Sequence, residues 1–154
     1  MKIRSISWLD NNHVVIVRST TTDRFSQFGD LAEAFNGQIY NVEKRTFANV
    51  LDSVRGVGSS RTSDDQVLNL FGGYYTRVID GQRVMLVTAS KTGDNMLFRI
   101  DPDTGRGTPF IRDYKGGLLD ANGRVYAEDD GDFDTGRWRV TAVEGPTRRE
   151  VFSW

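Results

Sequence analysis

One histidine and no cysteine narrow the chemistry open to this 154-residue chain. Without cysteine there is no thiolate nucleophile, no thiolate zinc site and no disulfide framework. Hydrolysis by serine on an α/β-hydrolase needs a G-x-S-x-G elbow followed in chain order by an acid and a histidine. The nearest string, Gly56-Val57-Gly58-Ser59-Ser60, lacks that spacing, and His13 precedes every serine except Ser5 and Ser7. His13 stands where a turn enters a strand, the setting of a structural or solvated histidine. No catalytic residue is expected in the chain.

Other groups invite binding readings. Asp130, Asp132 and Asp134 alternate as calcium-loop carboxylates do, but Thr135 stands where the loop glycine belongs and Thr141 where the bidentate glutamate belongs. A solvated inter-strand loop is the expectation there, with no metal. Gly56 and Gly58 have no third glycine at dinucleotide-loop spacing, and no cofactor is expected. Arg24, Phe25 and Phe28 lie in a long inserted stretch, where Arg and aromatic side chains on a loop can reach a substrate carboxylate or an apolar side chain. Tyr74 and Tyr75, after Gly72-Gly73, are weaker candidates of the same kind, because strand aromatics usually pack between sheets. These five are the substrate-contact candidates.

Charge and hydropathy remove whole classes of partner. Twenty Lys plus Arg against 21 Asp plus Glu give a net charge of -1, so no basic surface for nucleic acid is expected. Sixteen arginines against four lysines suit ion pairs between strands. No apolar run approaches the roughly 20 residues that span a bilayer, and Met1-Lys2-Ile3-Arg4-Ser5 opens no signal-peptide core. The expectation is a soluble piece without a membrane partner, its compartment open between cytoplasm and periplasm.

The elements that would position these residues are strands. Sixteen glycines, three prolines and short runs rich in Val, Ile, Phe, Tyr and Trp predict strands closed by tight turns. The chain also resembles itself. Leu9-Asp10-Asn11-Asn12-His13-Val14-Val15, Ile79-Asp80-Gly81-Gln82-Arg83-Val84-Met85 and Leu119-Asp120-Ala121-Asn122-Gly123-Arg124-Val125 each read as a hairpin with Asp opening the turn. A second hairpin follows each, with third strands around Ile39, Leu97 and Trp138 in comparable places, or their neighbours if the register slips by one. In Asp101-Pro102-Asp103-Thr104-Gly105 the proline presets φ and the glycine supplies positive φ. Asp80 to Asp120 is 40 residues, close to the ~40–45 of one propeller blade. The fold class predicted is all-β, about three four-stranded antiparallel blades of an incomplete β-propeller in a single domain, at 3–51, 73–112 and 116–153. Blade one carries extra material at 20–36 and 53–72, and 30–36 predicts one or two helical turns capped by Asp30.

The order Ser5 to Val15, Thr20 to Phe25, Tyr75 to Gly81 and Leu97 to Arg106 resembles the non-catalytic β-propeller of bacterial prolyl oligopeptidase family serine peptidases. In that family a propeller of seven or eight blades caps an α/β-hydrolase domain, screens substrates by size and helps form the active-site cavity. The resemblance implies a hydrolase domain and peptide substrates as partners, and an excised or truncated part of such a propeller. The chain departs from the pattern in having three recognisable blades and no hydrolase domain. Blades one and three would each leave an apolar face uncovered, so stacking of blade three of one copy on blade one of the next is expected.

Overall fold

The structure, a computed structural model, describes residues 2–22, 31–51, 73–91, 94–114, 116–132 and 134–154. It is all-β. Strands β1 (Lys2–Trp8), β2 (His13–Thr22), β3 (Ala32–Asn41) and β4 (Thr46–Asn49) form the first sheet. The second holds β5 (Tyr74–Ile79), β6 (Gln82–Lys91), β7 (Asp94–Ile100) and β8 (Gly107–Arg112). The third holds β9 (Leu118–Leu119), β10 (Val125–Asp132), β11 (Arg137–Glu144) and β12 (Thr147–Ser153). Every pairing is antiparallel between chain neighbours, so the sheets are propeller-like blades stacked in series and not closed into a ring. No helix occurs among the described residues, and so none that is long and apolar enough to cross a membrane.

Strand alternation builds two cores from one middle sheet. Met85, Val87, Met96, Phe98 and Ile100 face the first sheet and pack on Leu9, Val15, Ile39, Val50 and Leu51. Their neighbours Val84, Leu86 and Leu97 face the third sheet and pack with Tyr114 on Leu119. Hydrogen bonds cross both seams. Ser7 Oγ and Tyr74 Oη share one at 2.7 Å, and Leu51 N–H donates to the Gly105 carbonyl at 2.8 Å. Across the other seam, Arg77 donates from Nε to the Asp120 carbonyl at 2.9 Å and from Nη2 to the Leu119 carbonyl at 3.1 Å.

Three expectations are corrected. The stretch predicted as helix at 30–36 enters β3 at Ala32, pairing Thr22 with Ala32 and Ser19 with Phe35. The strand wins because Glu33 then lies beside Thr21, where Lys2 Nζ (3.0 Å), Arg4 Nη2 (2.8 Å) and Thr21 Oγ1 (2.8 Å) all donate to its carboxylate. Hydrogen bonds from Ser19, Arg4 and Lys2 hold that carboxyl well below the usual carboxylate range.

The second correction concerns turn chemistry. Asp10 and Asp120 do open their turns, accepting backbone N–H groups two residues on at 2.8 Å. Asp80 instead occupies the turn, at φ 52° beside Gly81 at φ 74°, a two-residue link with both residues left-handed.

The third concerns the outermost faces. Ile39 and Leu97 each face the sheet that follows, whereas Trp138 pairs with Gly131 and joins neither core. Its neighbour Arg139, the alternative that a slip of one residue left open, takes the comparable place, and that face of the third sheet carries ion pairs. There Arg139 Nη2 meets Asp130 Oδ2 at 2.6 Å, and Arg148 grips both Glu128 carboxylate oxygens at 3.2 and 3.1 Å.

Candidate functional site

Antiparallel order places the turn between the first and second strands of each sheet at the same end as the turn between its third and fourth, and contacts across the first seam bring the turns of two sheets together. His13 is the hub. Its Nδ1 lies 2.9 Å from both Asp10 carboxylate oxygens, and its Nε2 lies 3.2 Å from Asp103 Oδ1 in the β7–β8 turn. Asn41 Nδ2 donates to the same Asp103 oxygen at 2.7 Å and lies 3.0 Å from His13 Nε2, while Asn41 Oδ1 accepts the Lys44 N–H at 2.8 Å. Lys44 Nζ completes the group, 2.9 Å from Asp103.

The electrostatics favour an imidazolium between two carboxylates. Burial alone would lower the His13 pKa, but hydrogen bonds to Asp103 and Asp10 outweigh it and raise the group above its ordinary 6.5. Asp103 is held down to about 2, first by Lys44, then by His13 and Asn41. Partial burial would raise the Asp10 carboxyl, but the Asn12 N–H and His13 lower it below 3.8. With both ring nitrogens committed, His13 has no free nitrogen to serve as a base toward a serine. The cluster is a clasp between sheets.

Beside the clasp opens a cleft of about 980 Å³, lined on one side by Asp10 and on the other by residues 82–84, 98–102 and 106–109. A shallower hollow of about 700 Å³ lies against Trp8, Asn11, Asn12 and His13, and shares Asp10 and Arg83 with the first. Arg99 Nη2 donates to Gln82 Oε1 at 3.4 Å. Among the described residues no ion pair engages the guanidinium groups of Arg83 or Arg106. The cleft thus offers cationic donors, which suit an anionic group on a ligand.

The sequence-derived candidates fall elsewhere. Arg24, Phe25 and Phe28 lie outside the described residues. Tyr74 and Tyr75 are adjacent in β5 and so point to opposite faces. Tyr74 bonds Ser7 and packs on the first core; Tyr75 packs on the second, 3.4 Å from the Tyr114 hydroxyl and under the Arg77 guanidinium at 5.7 Å. The two are not brought together. Asp130 and Asp132 are taken up locally, Asp130 by Arg139 and Asp132 by the N–H groups of Asp134 (3.0 Å) and Thr135 (3.2 Å). Among the described residues no group of three or more metal-ligating side chains is placed to hold an ion.

Reading the sequence missed Arg83 and Arg106 as a pair. Each is one arginine among sixteen, and no motif singles them out. Compared with protein-family models, with curated proteins and with solved structures, the chain finds no match.

Proposed function

We propose that this chain is a non-catalytic β-propeller segment that gates and frames the access of peptide substrates to an α/β-hydrolase domain, as in the prolyl oligopeptidase family serine peptidases it resembles. The observation that supports it most is the serial stacking of three four-stranded sheets, each sharing a core with the next. The hydrolase domain and the peptide are the partners. The reading frame tests this: continuation into a G-x-S-x-G segment with Asp and His downstream supports it, and a stop codon after Trp154 overturns it. In either case the purified chain is expected to leave chromogenic peptides and esters intact. Turnover that persists through purification and vanishes when one named serine is replaced would contradict the non-catalytic reading.

The Arg83 and Arg106 cleft favours a second reading, a self-standing module that binds an anionic ligand. Calorimetric titration with a short apolar peptide bearing a free C-terminal carboxylate should show binding that the amidated peptide lacks. Arg83→Ala should weaken it about tenfold, the worth of one charge-assisted hydrogen bond. Equal binding of both peptides would remove this reading.

A further inference from the structure

Asp10 belongs both to the clasp and to the cleft. Its carboxylate holds His13 Nδ1 at 2.9 Å, and it lines the cleft and the neighbouring hollow, in both of which Arg83 takes part. His13 itself lines the hollow, so the ring of the clasp and the Arg83 guanidinium border one open space. The charged groups around the ring are Asp10 on the β1–β2 turn, Glu43 and Lys44 on the β3–β4 turn, Asp103 on the β7–β8 turn and Arg83 near the start of β6. Glu43 reaches the group through Asn12 Nδ2, at 3.4 Å. The two carboxylates on the ring are not alike. Asp103 also holds Lys44 Nζ at 2.9 Å and Asn41 Nδ2 at 2.7 Å, whereas among the described residues His13 is the one cationic partner of Asp10.

We propose that the charge of His13 sets the anion affinity of the cleft, the protonated ring strengthening binding at Arg83 and the neutral ring weakening it. This rests on the anion-binding reading of the cleft and adds its regulation. With the ring charged, Asp10 and Asp103 are matched by His13 and Lys44. The proton that leaves is the one on Nε2, because Nδ1 keeps both Asp10 oxygens within reach and the bared Nε2 can accept from Asn41 Nδ2. Asp103 keeps Lys44, so the negative charge left over is that of Asp10. It stands in the wall that Arg83 shares, where it repels an incoming anion and competes for the guanidinium. Loss of one unit of charge beside a partly solvated site changes affinity about three- to tenfold. The same factor must return to the ring, which holds its proton more firmly when the anion is bound. The clasp keeps the ring's pKa above 6.5, so the change is read between pH 6 and pH 9.

The chain has one histidine, so its imidazole resonances report on this ring alone. Calorimetric titration uses an N-acetylated apolar peptide ending in a free carboxylate, whose charge is constant across this range of pH. Its affinity should be about three- to tenfold weaker at pH 9 than at pH 6. His13→Asn should bind it equally at both, close to the weaker value. In proton NMR, saturating peptide should move the midpoint of the ring titration up by about 0.5–1 in pH, the equivalent of that factor. Arg83→Ala, with no peptide present, should also raise the midpoint, because it removes a cation that disfavours the charged ring. Both NMR measurements stand if His13→Asn fails to fold. Equal affinity at pH 6 and pH 9, or a midpoint that saturating peptide leaves unmoved, overturns the coupling and leaves the cleft as an anion site. No binding at either pH removes the anion site and the coupling with it.

Discussion

His13 changes charge within the ordinary range of pH, and the sign of its effect follows from its partners. A folded pKa raised above 6.5 means the imidazolium stabilises the fold below that value, and the contribution fades as pH rises through the folded pKa. Asp103 works the other way, stabilising above 3.8 and losing its contribution as pH falls toward about 2. The clasp is at full strength between about pH 4 and pH 6.5. Above it the loss is partial, because neutral Nε2 can accept from Asn41 Nδ2. The thermal midpoint should be highest in that window and decline into the alkaline range. His13→Asn should flatten the alkaline slope and cost about 1–3 kcal/mol, the range for charge-assisted hydrogen bonds lost at a buried site. An unchanged slope would show that the imidazolium does not hold the seam. Sequence made half of this legible: Asp10 and His13 are three residues apart in one turn, whereas Asp103 lies 90 residues away and already had a local explanation in its own turn.

At the scale of elements, the strands were legible because alternation and turn residues agree, as at Asp101 to Gly105. The start of β3 was not legible. Asp30-Leu31-Ala32-Glu33-Ala34-Phe35 suits a capped helix locally, and only Lys2 and Arg4, some thirty residues earlier, make the strand better. Which faces lie inward was similarly hidden, because a one-residue difference in register exchanges Trp138 for Arg139. Adjacent residues of β7 test the face assignment. Phe98→Ala should cost about 3–5 kcal/mol and Leu97→Ala about 2–5, each by opening a cavity, but in different seams. Amide shifts should spread to Val15 and Ile39 for the first and to Tyr114 and Leu119 for the second. The seam itself is tested at Gly105, whose φ of 70° and absent Cβ let its backbone approach Asn49. A Cβ there would be driven into the Asn49 carbonyl, so Gly105→Ala should destabilise by about 1–3 kcal/mol or more. Wild-type stability in that variant would mean the two sheets are not held at this distance.

For the whole molecule, three sheets in series make stability a sum of what each sheet does alone and what each seam adds. The middle sheet shares both seams, and Met85, Leu86, Val87, Leu97 and Phe98 are all fully buried. The first sheet shares one seam, deep in apolar side chains and crossed by the His13 clasp, the Ser7–Tyr74 bond and the Leu51–Gly105 bond. The third sheet shares the smaller seam. Its β9 is two residues long, β12 is exposed along nearly its whole length, and Phe152 and Trp154 remain 57% and 62% exposed although their rings pack at 5.1 Å. Trp138 covers Gly131 across the strand pair and stacks on Trp154, which stiffens the sheet internally. Local opening should therefore begin at the third sheet, where the fewest buried apolar groups must be exposed. Hydrogen exchange under native conditions should rank amides of β6 and β7 as slowest, β2 and β3 next, and β11 and β12 fastest. Arg77→Ala, which removes both hydrogen bonds to the Asp120 turn and its neighbour, should accelerate exchange in the third sheet while leaving β2 and β3 unchanged. Equal protection across the three sheets, with one shared response to Arg77→Ala, would show that the chain opens only as a single unit and that the two seams are energetically alike.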